Sequence, residues 1–173
     1  MSETRSRIHR CVSRNPGIHF NEISRTLDIA TGQTQHHLRK LRKDGRVRRE
    51  EVCGKTHFYP PTYTPWERGT IALLRRETTR ELVAYLLRHE TEHPAVLADR
   101  LDIARSTVEW HLSNLVDYDV VSKRSVKTEG TRQVLVELND PDAVYRLLRE
   151  VEPGFTDRLV DRFTRLADEL LSD

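Results

Sequence analysis

The chain has 173 residues, of which 36% are hydrophobic, enough for one medium domain or two small ones with modest cores. Its formal net charge is only +2, but residues 1–62 carry 13 basic and 6 acidic side chains (+7), residues 63–140 carry 11 and 13 (−2), and residues 141–173 carry 5 and 8 (−3); a polyanion is therefore expected on the first third. No apolar run approaches the ~20 residues that span a bilayer, MSETRSRIHR lacks the apolar core of a signal peptide, and Cys11 and Cys53 lack the C-x-x-C spacing of a zinc finger, so the expectation is a cytoplasmic protein with no membrane partner, no metal and no cofactor.

Ile8, Cys11 and Val12 recur at helical spacing and predict a short amphipathic helix over residues 4–14, stopped by Asn15-Pro16-Gly17. Phe20, Ile23 and Leu27 mark a second helix, and Leu27-Asp28-Ile29-Ala30 the turn after it. The stretch Ala30–Gly45, ATGQTQHHLRKLRKDG, has two faces at helical period. Thr34, His37, Leu38 and Leu41 form a stripe that can press on a small core. Gly32, Gln35, His36, Arg39, Lys40 and Lys43 lie on the other side, where no carboxylate appears until Asp44. Amide, imidazole and cationic groups on one helix face suit a duplex major groove, Gln pairing with adenine edges and Arg or Lys with guanine edges or phosphate. Residues 47–52, a tight Cys53-Gly54-Lys55 turn and His57-Phe58-Tyr59 then read as a β-hairpin. Three helices and a hairpin make a winged helix.

Residues 60–65 are Pro-rich and read as a stiff linker, and a connecting helix is expected from Trp66 to about Glu77. The pattern then returns. A shift of 74 residues sets Leu101-Asp102-Ile103-Ala104 on Leu27-Asp28-Ile29-Ala30, His111-Leu112 on His37-Leu38, and Leu115 on Leu41. The match runs ungapped for about forty residues, which indicates tandem duplication. A second wing pairs residues 120–126 with 133–138 across a Glu129-Gly130 turn. The predicted class is mainly α (α+β): two tandem winged helix-turn-helix domains, at 1–62 and 78–140, separated by a linker and connecting helix (63–77) and followed by a helical segment (141–173). In that last segment Phe155, Leu159, Phe163, Leu166 and Leu170 approximate a heptad seam, expected to pack on the body or to form a homodimer.

LDIATGQTQHHLRKL and LDIARSTVEWHLSNL resemble the turn and third helix of ArsR- and MarR-type winged-helix transcription regulators, and residues 5–140 as a whole resemble the tandem winged-helix regulators common in archaea. The resemblance implies that exposed third-helix residues read the groove and that the wing reaches phosphates or the minor groove. By position this points to Thr31, Gly32, Gln33, Gln35, His36, Arg39 and Lys40 on the helix, and to Arg48, Arg49, Lys55 and His57 on the wing. Arg42 and Lys43 add phosphate contacts.

The second copy departs from this pattern, offering Arg105, Ser106 and Thr107 but then Glu109, Trp110, Ser113 and Asn114, with Asp117 and Asp119 beyond. Like charges repel a phosphate-lined groove, and Trp110 is better read as an anchor in a protein contact. Repeat two is thus expected mainly to scaffold or dimerise, while Arg105, Ser106, Thr107, Lys123, Arg124 and Lys127 keep a secondary DNA contact open. His36 and His37 are adjacent on a helix and cannot chelate one ion from one face. Cys11 reads as core and Cys53 as a turn residue.

Two functions follow. One is a sequence-specific regulator binding double-stranded DNA. The alternative is an architectural or protein-docking tandem winged-helix protein, in chromosome organisation or transcription initiation. An enzyme is not expected, since no nucleophile–base set, phosphate-binding glycine loop or metal cluster is present. No residue names an effector.

Overall fold

Ser2 caps the first helix, α1 (Glu3–Arg14), accepting from the backbone N–H of Arg5 at 3.4 Å, and Ile8, Cys11 and Val12 bury its inner side. A short strand, β1 (Ile18–His19), leads into α2 (Phe20–Leu27) and α3 (Thr31–Lys43). Between α2 and α3 the chain turns on Asp28, which takes a left-handed conformation (φ 51°) that Asp tolerates better than most side chains. The hairpin of β2 (Arg48–Val52) and β3 (Lys55–Tyr59) pairs Val52 with Lys55, and β1 joins its far edge to give the antiparallel order β1-β3-β2. Cys53 and Gly54, at φ 49° and 72°, supply the two positive-φ positions of a type I′ turn. Ile8, Val12, Ile18, Ile23, Leu38 and Leu41 close the core beneath α3; each contributes about 1.5–3 kcal/mol by leaving water.

The computed structural model describes residues 2–128 and 130–151, and the chain divides into two units, Met1–Arg75 and Arg76–Asp173. Residues 63–77, expected to be a linker with one connecting helix, are used differently. Thr64 accepts from the N–H of Glu67 while Glu67 accepts from the N–H of Thr64, a capping box that starts α4 (Pro65–Leu74) at Pro65. This helix is built into the first unit. Tyr59 Oη donates to the carbonyl of Arg68 at 2.8 Å, Arg68 pairs with Glu50 at 2.8 Å, and Arg75 pairs with Glu22 at 2.8 Å. Gly17 makes the fit close: at φ 78°, a Cβ there would stand 2.8 Å from Cγ2 of Ile71.

The second unit repeats the plan. It contains α5 (Glu77–His89), β4 (Thr91–Glu92), α6 (Pro94–Leu101), α7 (Arg105–Asp117), β5 (Val121–Thr128) and β6 (Thr131–Leu138), with strand order β4-β6-β5. Asp102 turns at φ 51°, as Asp28 does. Leu82, Leu86, Leu97, Val108, Leu112 and Leu115 are buried. The second wing is longer, with register running from Val121↔Leu138 out to Thr128↔Thr131. A further helix, α8 (Pro141–Val151), packs against α5 and buries Val144, Leu147 and Leu148. Phe155, Leu159, Phe163, Leu166 and Leu170 lie outside the described residues. No helix among the described residues is long and apolar enough to cross a membrane.

Candidate nucleic-acid interface

In the first unit the core residues Thr34, Leu38 and Leu41 fix the roll of α3, and Ser24 Oγ donates to Thr34 Oγ1 at 3.0 Å to hold it against α2. The opposite side is set in solvent. Thr31, Gly32, Gln33, Gln35, His36 and Arg39 are all exposed, as are Lys40, Arg42 and Lys43. The N-terminus of α3 has Ala30 at its cap and no side-chain hydrogen bond there, and its first turn holds no acid. Uncapped N–H groups at a positive helix end readily donate to a phosphate.

The wing completes the surface. An open cleft of about 440 Å³ lies between the last turns of α3 and the root of β2, lined by Val47 and five cations: Arg39, Arg42, Lys43, Arg48 and Arg49. Among the described residues Arg39, Lys40, Arg42, Lys43 and Arg48 form no ion pair. Cations in the last turn of a helix also complement its dipole, worth about 0.3–1 kcal/mol each, but that leaves Arg48 and Arg49 on the strand unaccounted for. Arg49 leans on Glu51 (3.6 Å) and donates to Thr56 Oγ1 (3.2 Å); both Arg49 and Glu51 are largely exposed, so the contact is weak. Lys55 is exposed at the hairpin turn.

His57 is a correction. It was expected on the wing surface, but it is only 2% exposed. Its Nδ1 lies 2.8 Å from the carbonyl oxygen of Gly17, and its ring packs against His19 with centroids 4.1 Å apart. His57, Phe58 and Tyr59 are buried in succession, so this part of β3 is covered on both faces and the side chain is structural. His37, on the inner stripe, is partly buried, and its Nδ1 is enclosed without a hydrogen-bond partner. Burial first, then His36, Arg5 and Lys40, push its pKa below the usual imidazole value. Cys11 is a core thiol whose pKa burial pushes up.

The second unit presents the same scaffold with a different surface. Where α3 carries Gln35, His36, Arg39, Lys40, Arg42 and Lys43, α7 carries Glu109, Trp110, Ser113, Asn114, Val116 and Asp117. Trp110 is 49% exposed, with the Arg76 guanidinium 5.0 Å from its ring centre and the His111 ring edge-on at 4.9 Å. Arg105, Ser106 and Thr107 are exposed at the start of α7, which likewise lacks a side-chain cap. Of the wing cations, Lys123 is held by Glu109 at 2.6 Å and Arg124 by Glu137 at 3.4 Å, while Lys127 has no ion pair among the described residues. Sequence reasoning passed over Arg132. The hairpin register sets it directly opposite Lys127.

Comparison with known proteins agrees with this architecture. Residues 2–71 match a family of N-terminal helix-turn-helix domains, and residues 75–122 match the winged helix-turn-helix DNA-binding family. The chain is built of two winged helix-turn-helix domains in tandem. It is 27% identical over 134 residues to an uncharacterized HTH-type transcriptional regulator of Methanocaldococcus jannaschii. The match covers 78% of this chain, and the chain spans 33% of the length of that relative. The family matched in the first unit is described as helix-turn-helix, and the one matched in the second as DNA-binding.

Proposed function

We propose that the protein is a sequence-specific, double-stranded-DNA-binding transcription regulator that works in the cytoplasm as a homodimer, reading DNA through its first unit. Gln33, Gln35, His36 and Arg39 read base edges, each good bidentate pair discriminating by about 1–3 kcal/mol. Arg42, Lys43, Arg48, Arg49 and Lys55 hold phosphates and give salt-sensitive affinity, while Thr31 and Gly32 meet the backbone at the helix start. The observation that carries this reading is the five-cation cleft joining α3 to β2, which abuts the exposed amide and imidazole groups of α3.

The second unit scaffolds the first, and Trp110, with Phe155, Leu159, Phe163, Leu166 and Leu170, serves a protein contact. The loss from α7 of every cation that α3 carries beyond its first turn favours that role. It also leaves the protein-docking alternative in play for the second unit.

Selection of bound duplexes from a random-sequence pool, followed by titration of the winners across salt, tests the proposal. The expected result is an enriched inverted repeat with half-sites spaced by about 10 bp or a multiple, as two-fold winged-helix dimers read. A steep salt slope with no enriched motif would mean an architectural protein, and no binding at low salt a protein-docking module.

A further inference from the structure

A second open cleft, of about 510 Å³, lies wholly within the second unit, between the N-terminal ends of α6 and α7 and the wing. It has two kinds of lining. Pro94, Ala95, Val96 and Val134 give an apolar floor, and Val134 is left 41% exposed on its strand. His93 Nδ1 lies 2.9 Å from the Val134 carbonyl oxygen and ties the wing to the start of α6, so the floor is held in place. Arg105, Lys123 and Arg132 give a cationic rim. The carboxylate lining the cleft, Glu109, is already held by Lys123 at 2.6 Å, which leaves Arg105 and Arg132 without ion pairs among the described residues. Lys127 faces Arg132 across the ladder, a like-charge pairing that weakens a hairpin unless an anion lies near it.

An apolar floor with a few convergent charged groups is the make-up of a small-molecule site, and the volume falls in the usual range for one, roughly 300–1,000 Å³. A guanidinium grips an oxyanion in bidentate fashion. A duplex fits this unit less well. The positions that hold Arg39 and Lys43 in the first unit hold Ser113 and Asp117 here, so an extended phosphate backbone would run over an acidic helix face. A short anion avoids it.

We propose that this cleft binds a small organic acid, its oxyanion held by Arg105 and Arg132 and its apolar body lying on Pro94, Val96 and Val134. In a regulator such a ligand would be an effector, but the binding claim itself is independent of whether α3 reads DNA.

The test uses the full chain without DNA, isotope-labelled for amide NMR. It is titrated with hexanoate, 4-phenylbutyrate and phenyl phosphate, with inorganic phosphate, acetate and benzyl alcohol as comparisons. At least one apolar anion is expected to bind saturably at roughly millimolar concentration or below, shifting the amide signals of Gln133 and Val134. Arg105→Gln and Arg132→Gln should each weaken it by about tenfold. Inorganic phosphate and benzyl alcohol should bind more weakly, because each offers half of the complementarity. The proposal is overturned if none of the apolar anions saturates, if inorganic phosphate binds as well as they do, or if both variants bind unchanged. It is equally overturned if a random duplex shifts the same amides and displaces the anions, since the cleft would then be a phosphate-backbone contact.

Discussion

Thr79 Oγ1 lies 2.9 Å from Nδ1 of His111, a buried hydrogen bond that ties α5 to α7. In the first unit the equivalent positions are Arg5 and His37, whose Nε and Nδ1 are buried without partners. Both imidazoles have depressed pKa values, His111 through burial and then Arg76, His37 through burial and then His36, Arg5 and Lys40. A base with a lowered folded pKa takes up a proton more readily when unfolded. Its contribution to stability is therefore intact above the unfolded value of about 6.5 and is lost as pH falls from there toward the folded value. Thermal melts should show Tm dropping below about pH 6.5, and His111→Gln, which retains a partner for Thr79, should flatten that fall. A slope unchanged in both His111→Gln and His37→Gln would show that other groups control it.

Gly32 occupies the first turn of α3 with nothing within 4 Å of where a Cβ would be. Packing inside the protein does not require glycine there, and glycine in a helix costs about 0.5–1 kcal/mol relative to alanine. The position makes sense if a DNA backbone comes close. Gly32→Ala should raise the stability of the first unit by up to about 1 kcal/mol while lowering DNA affinity. A variant that is more stable and binds equally well would remove Gly32 from the interface.

The second repeat was legible because its identical Leu-Asp-Ile-Ala turn preserves a backbone requirement. Asp28 and Asp102 share φ 51°, and α3 (Thr31–Lys43) and α7 (Arg105–Asp117) start and stop at equivalent residues. The exposed face of α3 was legible for a similar reason, since burial of Thr34, Leu38 and Leu41 fixes its roll. His57 was not legible. Alternation along a strand assigns faces only when one face is wet, and His57, Phe58 and Tyr59 are buried in succession on a central strand. Arg132 was missed because the expected strands end at Val126 and Gln133 and leave it in the turn, whereas the ladder runs on to Thr128↔Thr131 and sets it opposite Lys127.

His57 and Lys55 are two residues apart on β3, and their variants should separate structure from binding. Removing the buried His57 ring loses its contact to Gly17 and its packing on His19, so His57→Ala should destabilise the first unit by about 2–4 kcal/mol. The fraction still folded should bind DNA normally. Lys55→Ala should leave stability within about 0.5 kcal/mol, weaken binding to all sequences alike, and reduce the salt slope by about one. Denaturant melts together with binding isotherms at several salt concentrations check both. Loss of affinity by fully folded His57→Ala protein would return that residue to the interface.

Arg39 and Ser113 hold the same position on α3 and α7, and that contrast sets the sharpest expectation about which unit reads sequence. At Arg39 a long cation stands in the five-cation cleft without an ion pair among the described residues. At Ser113 a short hydroxyl stands on a helix whose neighbouring exposed positions include Trp110 and Asp117. If base reading resides in α3, Arg39→Ala and Gln35→Ala should each cost about 1–3 kcal/mol on the selected site and much less on random duplex, because a lost base contact removes discrimination while phosphate contacts remain. Ser113→Ala should change neither. Equal losses on cognate and random duplex would assign Arg39 to the backbone, and loss of specificity in Ser113→Ala would move base reading to the second unit. The double variant Arg39→Ala/Gln35→Ala adds a further check. Two contacts more than about 7–10 Å apart should lose affinity additively, while side chains sharing one base pair should lose less than the sum.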